Sequence, residues 1–183
     1  MSKLKIGFYS LYETDTKDSF VGTLLITDNY GIPLEFKCTH SVKATAIQRA
    51  LYGERLQPYI GIELCGVPLM KSVINVPDFL FVNAPYLLSM RTKVNTAVVL
   101  INKAEQKDAE QKTGEKSEGK IILAHEYNTF EPVEISYNPD FPKDVKNTSE
   151  SVKTVFENFD LTEPFERMKK SVEILGKTDQ KFK

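Results

Sequence analysis

The sequence predicts an α+β fold, a mainly antiparallel sheet with central helices and two C-terminal helices packed against it. Three features carry this expectation. Two β-rich runs flank a turn at residues 20–40, helical spacing fills residues 43–73, and two amphipathic segments follow Pro142.

Taken in order, Lys3 to Leu11 is rich in aromatic and aliphatic residues and reads as a strand, broken by the polar run Glu13 to Ser19. Phe20 to Thr27 (FVGTLLIT) and Pro33 to His40 form a hairpin across the turn residues Asp28-Asn29-Tyr30-Gly31. In the second arm Leu34, Phe36, Cys38 and His40 share one face and Glu35, Lys37 and Thr39 the other, the alternation of a half-buried strand. Helical spacing then runs from about Lys43 to Val73, divided at Gly53, with Pro58 in the first turn of the second helix and an end or kink at Gly66 and Pro68.

Asp78 to Asn83 (DFLFVN), Asn95 to Asn102 (NTAVVLIN), Ile121 to His125 and Val133 to Tyr137 are further strands, with a helical turn over Ala84 to Met90. Residues 103–120 contain no large apolar side chain, so burial cannot offset their ordering entropy and a mobile charged loop is expected. Asn147 and Glu150 have capping-box spacing ahead of Val152, Val155, Phe156 and Phe159. The last helix begins near Thr162, carries Phe165, Met168, Val172 and Leu175 on one stripe and ends at Gly176, leaving a frayed tail at 177–183. Residues 1–183 are expected to form one domain, since 183 residues suffice to bury a core without disulfides or metals.

Charge and cysteine usage narrow the function classes. The 24 basic and 25 acidic residues nearly cancel, which argues against a phosphate-neutralising surface and hence against nucleic acid as partner. Cys38 and Cys65 cannot make a disulfide framework, and with His40 and His125 the only histidines no zinc spacing exists; no cofactor or metal is expected. These features, with no signal-peptide pattern and no long apolar run, predict a cytoplasmic protein that does not span a membrane.

No nucleophile-elbow, P-loop or dinucleotide motif occurs. Cys38 and His40 would share a strand face, but Leu34 and Phe36 as companions favour an inert buried thiol over a nucleophile. His40, His125 and Glu126 could hold a metal only if distant strands converged. The carboxylate pairs Asp15/Asp18, Glu54/Glu63 and Glu163/Glu166 read as loop or helix-surface charge. Tyr52, Arg55 and Tyr59 gather at the Gly53 helix break, and these residue types concentrate in binding hot spots, although sealing the core edge accounts for the tyrosines equally well.

The stretch from Gly31 to Thr39 (GIPLEFKCT), with Ala46 to Arg49, Leu51-Tyr52-Gly53 and Leu56 to Tyr59, resembles a group of uncharacterised bacterial proteins that share a G-x-P-L-E-F strand and an L-Y-G helix break; Leu161 to Arg167 resembles the start of their last helix. That resemblance implies no activity and no site residue. The chain also looks like an accessory protein of a CRISPR-type bacterial defence locus, a likeness carried by no single motif. Together these features predict a non-enzymatic adaptor that binds another protein through Tyr52, Arg55 and Tyr59. A motif-poor hydrolase using Cys38, His40 or His125 is the alternative, and binding of single-stranded nucleic acid on the sheet by aromatic stacking is the third.

Overall fold

A computed structural model of the chain describes residues 4–14, 19–104, 120–125, 127 and 129–182. Inside its sheet runs strand β1 (Ile6–Glu13), which buries Ile6 and Phe8 on one face and Tyr9 on the other. β1 pairs antiparallel with β2 (Ser19–Thr27) and parallel with β5 (Phe79–Val82). Outward from β2 lie β3 (Pro33–Cys38) and the short β4 (Val42–Lys43); outward from β5 lie β6 (Ala97–Lys103), β8 (Val133–Tyr137) and β7 (Lys120–Leu123). The spatial order is β3-β2-β1-β5-β6-β8-β7, with only the β1–β5 and β5–β6 pairs parallel. The α+β, mainly antiparallel class expected from the sequence is therefore what forms.

Helices cover both faces. On one, α4 (Pro142–Phe156) and α5 (Glu163–Thr178) bury Phe156, Phe165 and Met168 against Phe8, Phe81, Val99 and Ile135. Phe8 is the hub, with ring centroids 5.3 Å from Phe81 and 5.7 Å from Phe165, the latter edge-to-face at 84°. On the other face, Tyr9, Leu24, Leu80, Val82, Val98 and Leu100 pack under the central helical region. That region comprises α1 (Ala46–Tyr52), a 3-10 turn at Gly53–Arg55, α2 (Leu56–Tyr59), a π-helical stretch at Ile60–Gly66 and α3 (Val67–Ser72).

The expected break and kink thus occur where glycine and proline placed them. Gly53 has φ +50° at the first break. At the second, Pro68 has no N–H to return to Leu64, and the Val67 N–H bonds instead to Ile62, so the helix widens rather than ending. The stretch lies directly on β2: a Cβ on Gly22 would come within 2.5 Å of Cys65 Cβ, so only glycine permits this approach.

Four local expectations need correction. β3 is an edge strand, and Leu34 and Phe36 remain exposed at 42% and 40% while Glu35 and Lys37 are the better covered. Helix α4 begins at Pro142, not at Asn147, because Arg91 anchors its first turn; Nε and Nη2 reach Asp144 at 2.6 and 3.3 Å, and the guanidinium lies 4.2 Å from the Phe141 ring centroid. The capping box that does form joins Thr45 and Gln48 at the start of α1. The tail does not simply fray, since Gln180–Phe182 make a 3-10 turn that buries Phe182 beside Val21 and Val172. The loop expected over 103–120 and the pair Asp15/Asp18 fall outside the described residues, the loop's end residues apart. Among the described residues no helix is long and apolar enough to cross a membrane.

The inverted burial of β3 has a polar cause. Glu35 accepts from the backbone N–H of Ile74 and of Asn75, the latter at 2.8 Å, and from the Asn75 side-chain amide. Desolvation acts to raise its pKa, but these donors and Lys37 outweigh it and hold the carboxyl below its ordinary value. A depressed native pKa stabilises the fold above the ordinary carboxylate range, and that contribution is lost as pH falls through the depressed value. Glu35→Gln is expected to be destabilised relative to wild type at neutral pH, with the gap narrowing by about pH 3, as read from urea unfolding. A gap independent of pH would contradict this role.

Candidate functional site

In open sheets with parallel strands, ligands bind outside the carboxyl ends of those strands. Here the register sets Tyr9 beside Val82 and Val82 beside Leu100, so β1, β5 and β6 end at one edge. Ser10, inside β1, and Asn83, just beyond β5, meet there: Ser10 Oγ donates to Asn83 Oδ1 at 2.9 Å. Ser10 is buried and Asn83 is exposed. With its oxygen engaged, Asn83 has an amide NH2 left to donate to a ligand.

Neighbouring groups at this edge are polar. Tyr12 OH donates to the carbonyl of Phe165 at 2.7 Å, and burial pushes its pKa up to about 12, against a lowering by Ser10 and with a smaller raising by Glu166. Tyr12 is therefore a neutral hydrogen-bonding group at physiological pH. Lys103 Nζ lies 2.8 Å from Glu131 Oε2, a bond that raises the Lys103 pKa, with Asp160 and Glu166 adding to it. Among the described residues no group of three His, Cys, Asp or Glu could hold a metal ion.

The residues singled out from sequence fall in three places. Cys38 ends β3 half-buried against the cluster of Val21, Val172 and Phe182, and burial pushes its thiol pKa up. His40 follows it, its ring edge-to-face with Phe182 at 5.7 Å. His125 follows β7 at the opposite end of the strand order, packed on Phe130 at 5.0 Å and Phe156 at 6.3 Å, with Nε2 3.4 Å from Glu157. Cys38 and His40 thus share the Phe182 cluster at one end of the strand order, while His125 lies at the other and converges with neither; Glu126 lies outside the described residues.

Tyr52, Arg55 and Tyr59, by contrast, come together. The tyrosine rings are 5.0 Å apart at 36° and remain 39% and 38% exposed, and Arg55 is exposed beside them. They sit near the carboxyl edge as well. Gly61, two residues past Tyr59, lies against Leu11 near the end of β1, whereas Ser72 at the far end of the helical region accepts from Lys37.

Sequence reasoning passed over Ser10 and Asn83. The available signal was a lone polar residue within each apolar run, FYSLY and FLFVN, but their pairing depends on the parallel β1–β5 register, which local patterning does not contain.

No protein-family model matches this sequence, and no curated protein matches it. Solved structures do match in shape. The fold is similar to that of Endonuclease V. The Ciona intestinalis enzyme, solved with a 24mer DNA containing an inosine followed by a ribo-adenosine, aligns with a TM-score of 0.52 and 12% identity over 84% of this chain and 78% of its own. The catalytic domain of human Endonuclease V gives 0.51 and 13% over 94% and 85%.

This likeness corrects the functional expectations. The expectation of a non-enzymatic protein-binding adaptor rested on missing motifs, and it is overturned by a fold similar to that of the enzyme Endonuclease V. The exclusion of nucleic acid as partner rested on net charge, which sums over the whole surface and does not report the field at one edge.

Proposed function

We propose that the protein is a hydrolase acting on nucleic acid, with the substrate at the carboxyl edge of β1, β5 and β6. The observation that supports this most is the Endonuclease V-like fold together with a polar pair, Ser10 and Asn83, at the edge where such a sheet binds ligands. The amide of Asn83 suits a phosphate oxygen or a base carbonyl, and Ser10 fixes its orientation. Lys103 supplies positive charge at the same edge, although Glu131 balances it, so affinity should be modest. Cys38 and Cys65 are both unpaired, which fits the cytoplasmic setting included in this reading.

The test is incubation of the full chain with labelled single-stranded, duplex and inosine-containing DNA and RNA. At least one of these should be cleaved, and its binding should weaken with salt at a log–log slope of roughly −2 to −3, as for two or three phosphate contacts. If none of the panel is retained or cut at low salt, the reading fails.

A further inference from the structure

We propose that Tyr52, Tyr59 and Arg55 form a stacking platform for the unpaired bases of single-stranded nucleic acid, which fixes the substrate class of the carboxyl-edge site and rests on the reading above. The platform stands out from the core. Helix α1 buries none of its residues, and Ile47 and Leu51 on it are 72% and 78% exposed, yet its start is secured by the Thr45–Gln48 capping box. A well-capped helix with apolar side chains in water presents a surface shaped for something other than this chain's own core.

The chemistry of that surface matches bases better than backbone alone. Tyr52 and Tyr59 divide two hollows, one of about 350 Å³ bounded by Arg55, Pro58 and Glu63, the other bounded by Lys43 and Gln48. Tyrosine offers a rigid π-face at low entropic cost, and a guanidinium can stack on a base or bind a phosphate. Of the two acidic neighbours, Glu63 is paired with Lys93 at 3.3 Å, which reduces its repulsion of a polyanion, while Glu54 is exposed beside Arg55. A duplex keeps its base faces stacked inside, so these rings can engage only unpaired nucleotides. The rings lie near the end of β1 on the face covered by the central helices, whereas Ser10 and Asn83 alternate to the other face, so a single strand engaging both sites crosses the carboxyl edge.

Fluorescence anisotropy with a labelled oligothymidine and with a hairpin duplex of equal charge tests this. Tyr52→Ala and Tyr59→Ala should each weaken single-strand binding by about 5- to 100-fold, Phe replacements should hold it within about 2-fold, and Arg55→Ala should lower the salt slope by about 1. Duplex binding should be unaffected by the tyrosine replacements. Wild-type affinity for the single strand in both alanine variants, with melting temperatures unchanged, overturns the platform and leaves the carboxyl-edge reading standing. Equal losses on duplex and single strand overturn it too, while failure of wild type to bind either form removes the underlying reading as well.

Discussion

Replacing Phe8 with alanine should cost about 3–5 kcal/mol of folding stability, a large share of the total for a domain of this size. Phe8 is fully buried in β1, and its ring contacts Phe81 across the β1–β5 pair and Phe159 and Phe165 from the covering helical layer. Truncation removes the transfer free energy of a whole ring and leaves a cavity walled by sheet backbone on one side and α5 on the other. Neither wall can relax inward without disturbing the paired strands. Ile174→Ala, on the 61% exposed flank of α5, should by comparison stay within about 0.5 kcal/mol. Denaturant unfolding of the two variants reads the difference, and a Phe8→Ala cost below about 1 kcal/mol would show that the aromatic hub does not hold the two layers together.

Much of this architecture could be read from local pattern. The hairpin, the strand at Val133–Tyr137 and the two C-terminal helices follow from alternation and helical spacing, and Gly53, Pro68 and Pro164 mark the breaks and starts that form. What local pattern omits is long-range pairing. The parallel alignment of β1 with β5 joins residues more than 70 positions apart, and with the parallel β5–β6 pair it makes a carboxyl edge out of strands that look alike. The errors share this origin. Asn147 and Glu150 have capping spacing, but Arg91, on a distant 3-10 turn, anchors Asp144 and starts the helix five residues earlier. Leu34 and Phe36 have the alternation of a covered face, but β3 proved to be an edge and Glu35 is occupied by the backbone of Ile74 and Asn75.

The site was legible only in part. Tyr52, Arg55 and Tyr59 could be picked out because a helix break concentrates them within eight residues. Ser10 and Asn83 could not, since a serine inside an aromatic strand and an asparagine after one carry no chemistry until the sheet sets them 2.9 Å apart.

Asn83→Ala is the second substitution with a large expected effect, and it bears on function. The side chain is exposed, so its removal leaves no cavity; the fold loses the Ser10 hydrogen bond and leaves the buried Ser10 hydroxyl without that acceptor, a cost of about 1–3 kcal/mol. A hydrogen bond from its amide to a charged phosphate contributes about 1.5–3 kcal/mol, so its loss should lower cleavage efficiency roughly 10- to 150-fold. Ser10→Ala should show a smaller loss of the same kind, because it frees the amide to rotate without removing it.

The most direct measurement is therefore nucleic-acid cleavage by wild type and Asn83→Ala, side by side on the best substrate of the oligonucleotide panel, with thermal unfolding recorded for both. A fall of at least about tenfold in the variant, at a melting temperature still above that of the assay, is the predicted result. Equal cleavage by the two proteins would contradict the placement of the active edge at the carboxyl ends of β1, β5 and β6.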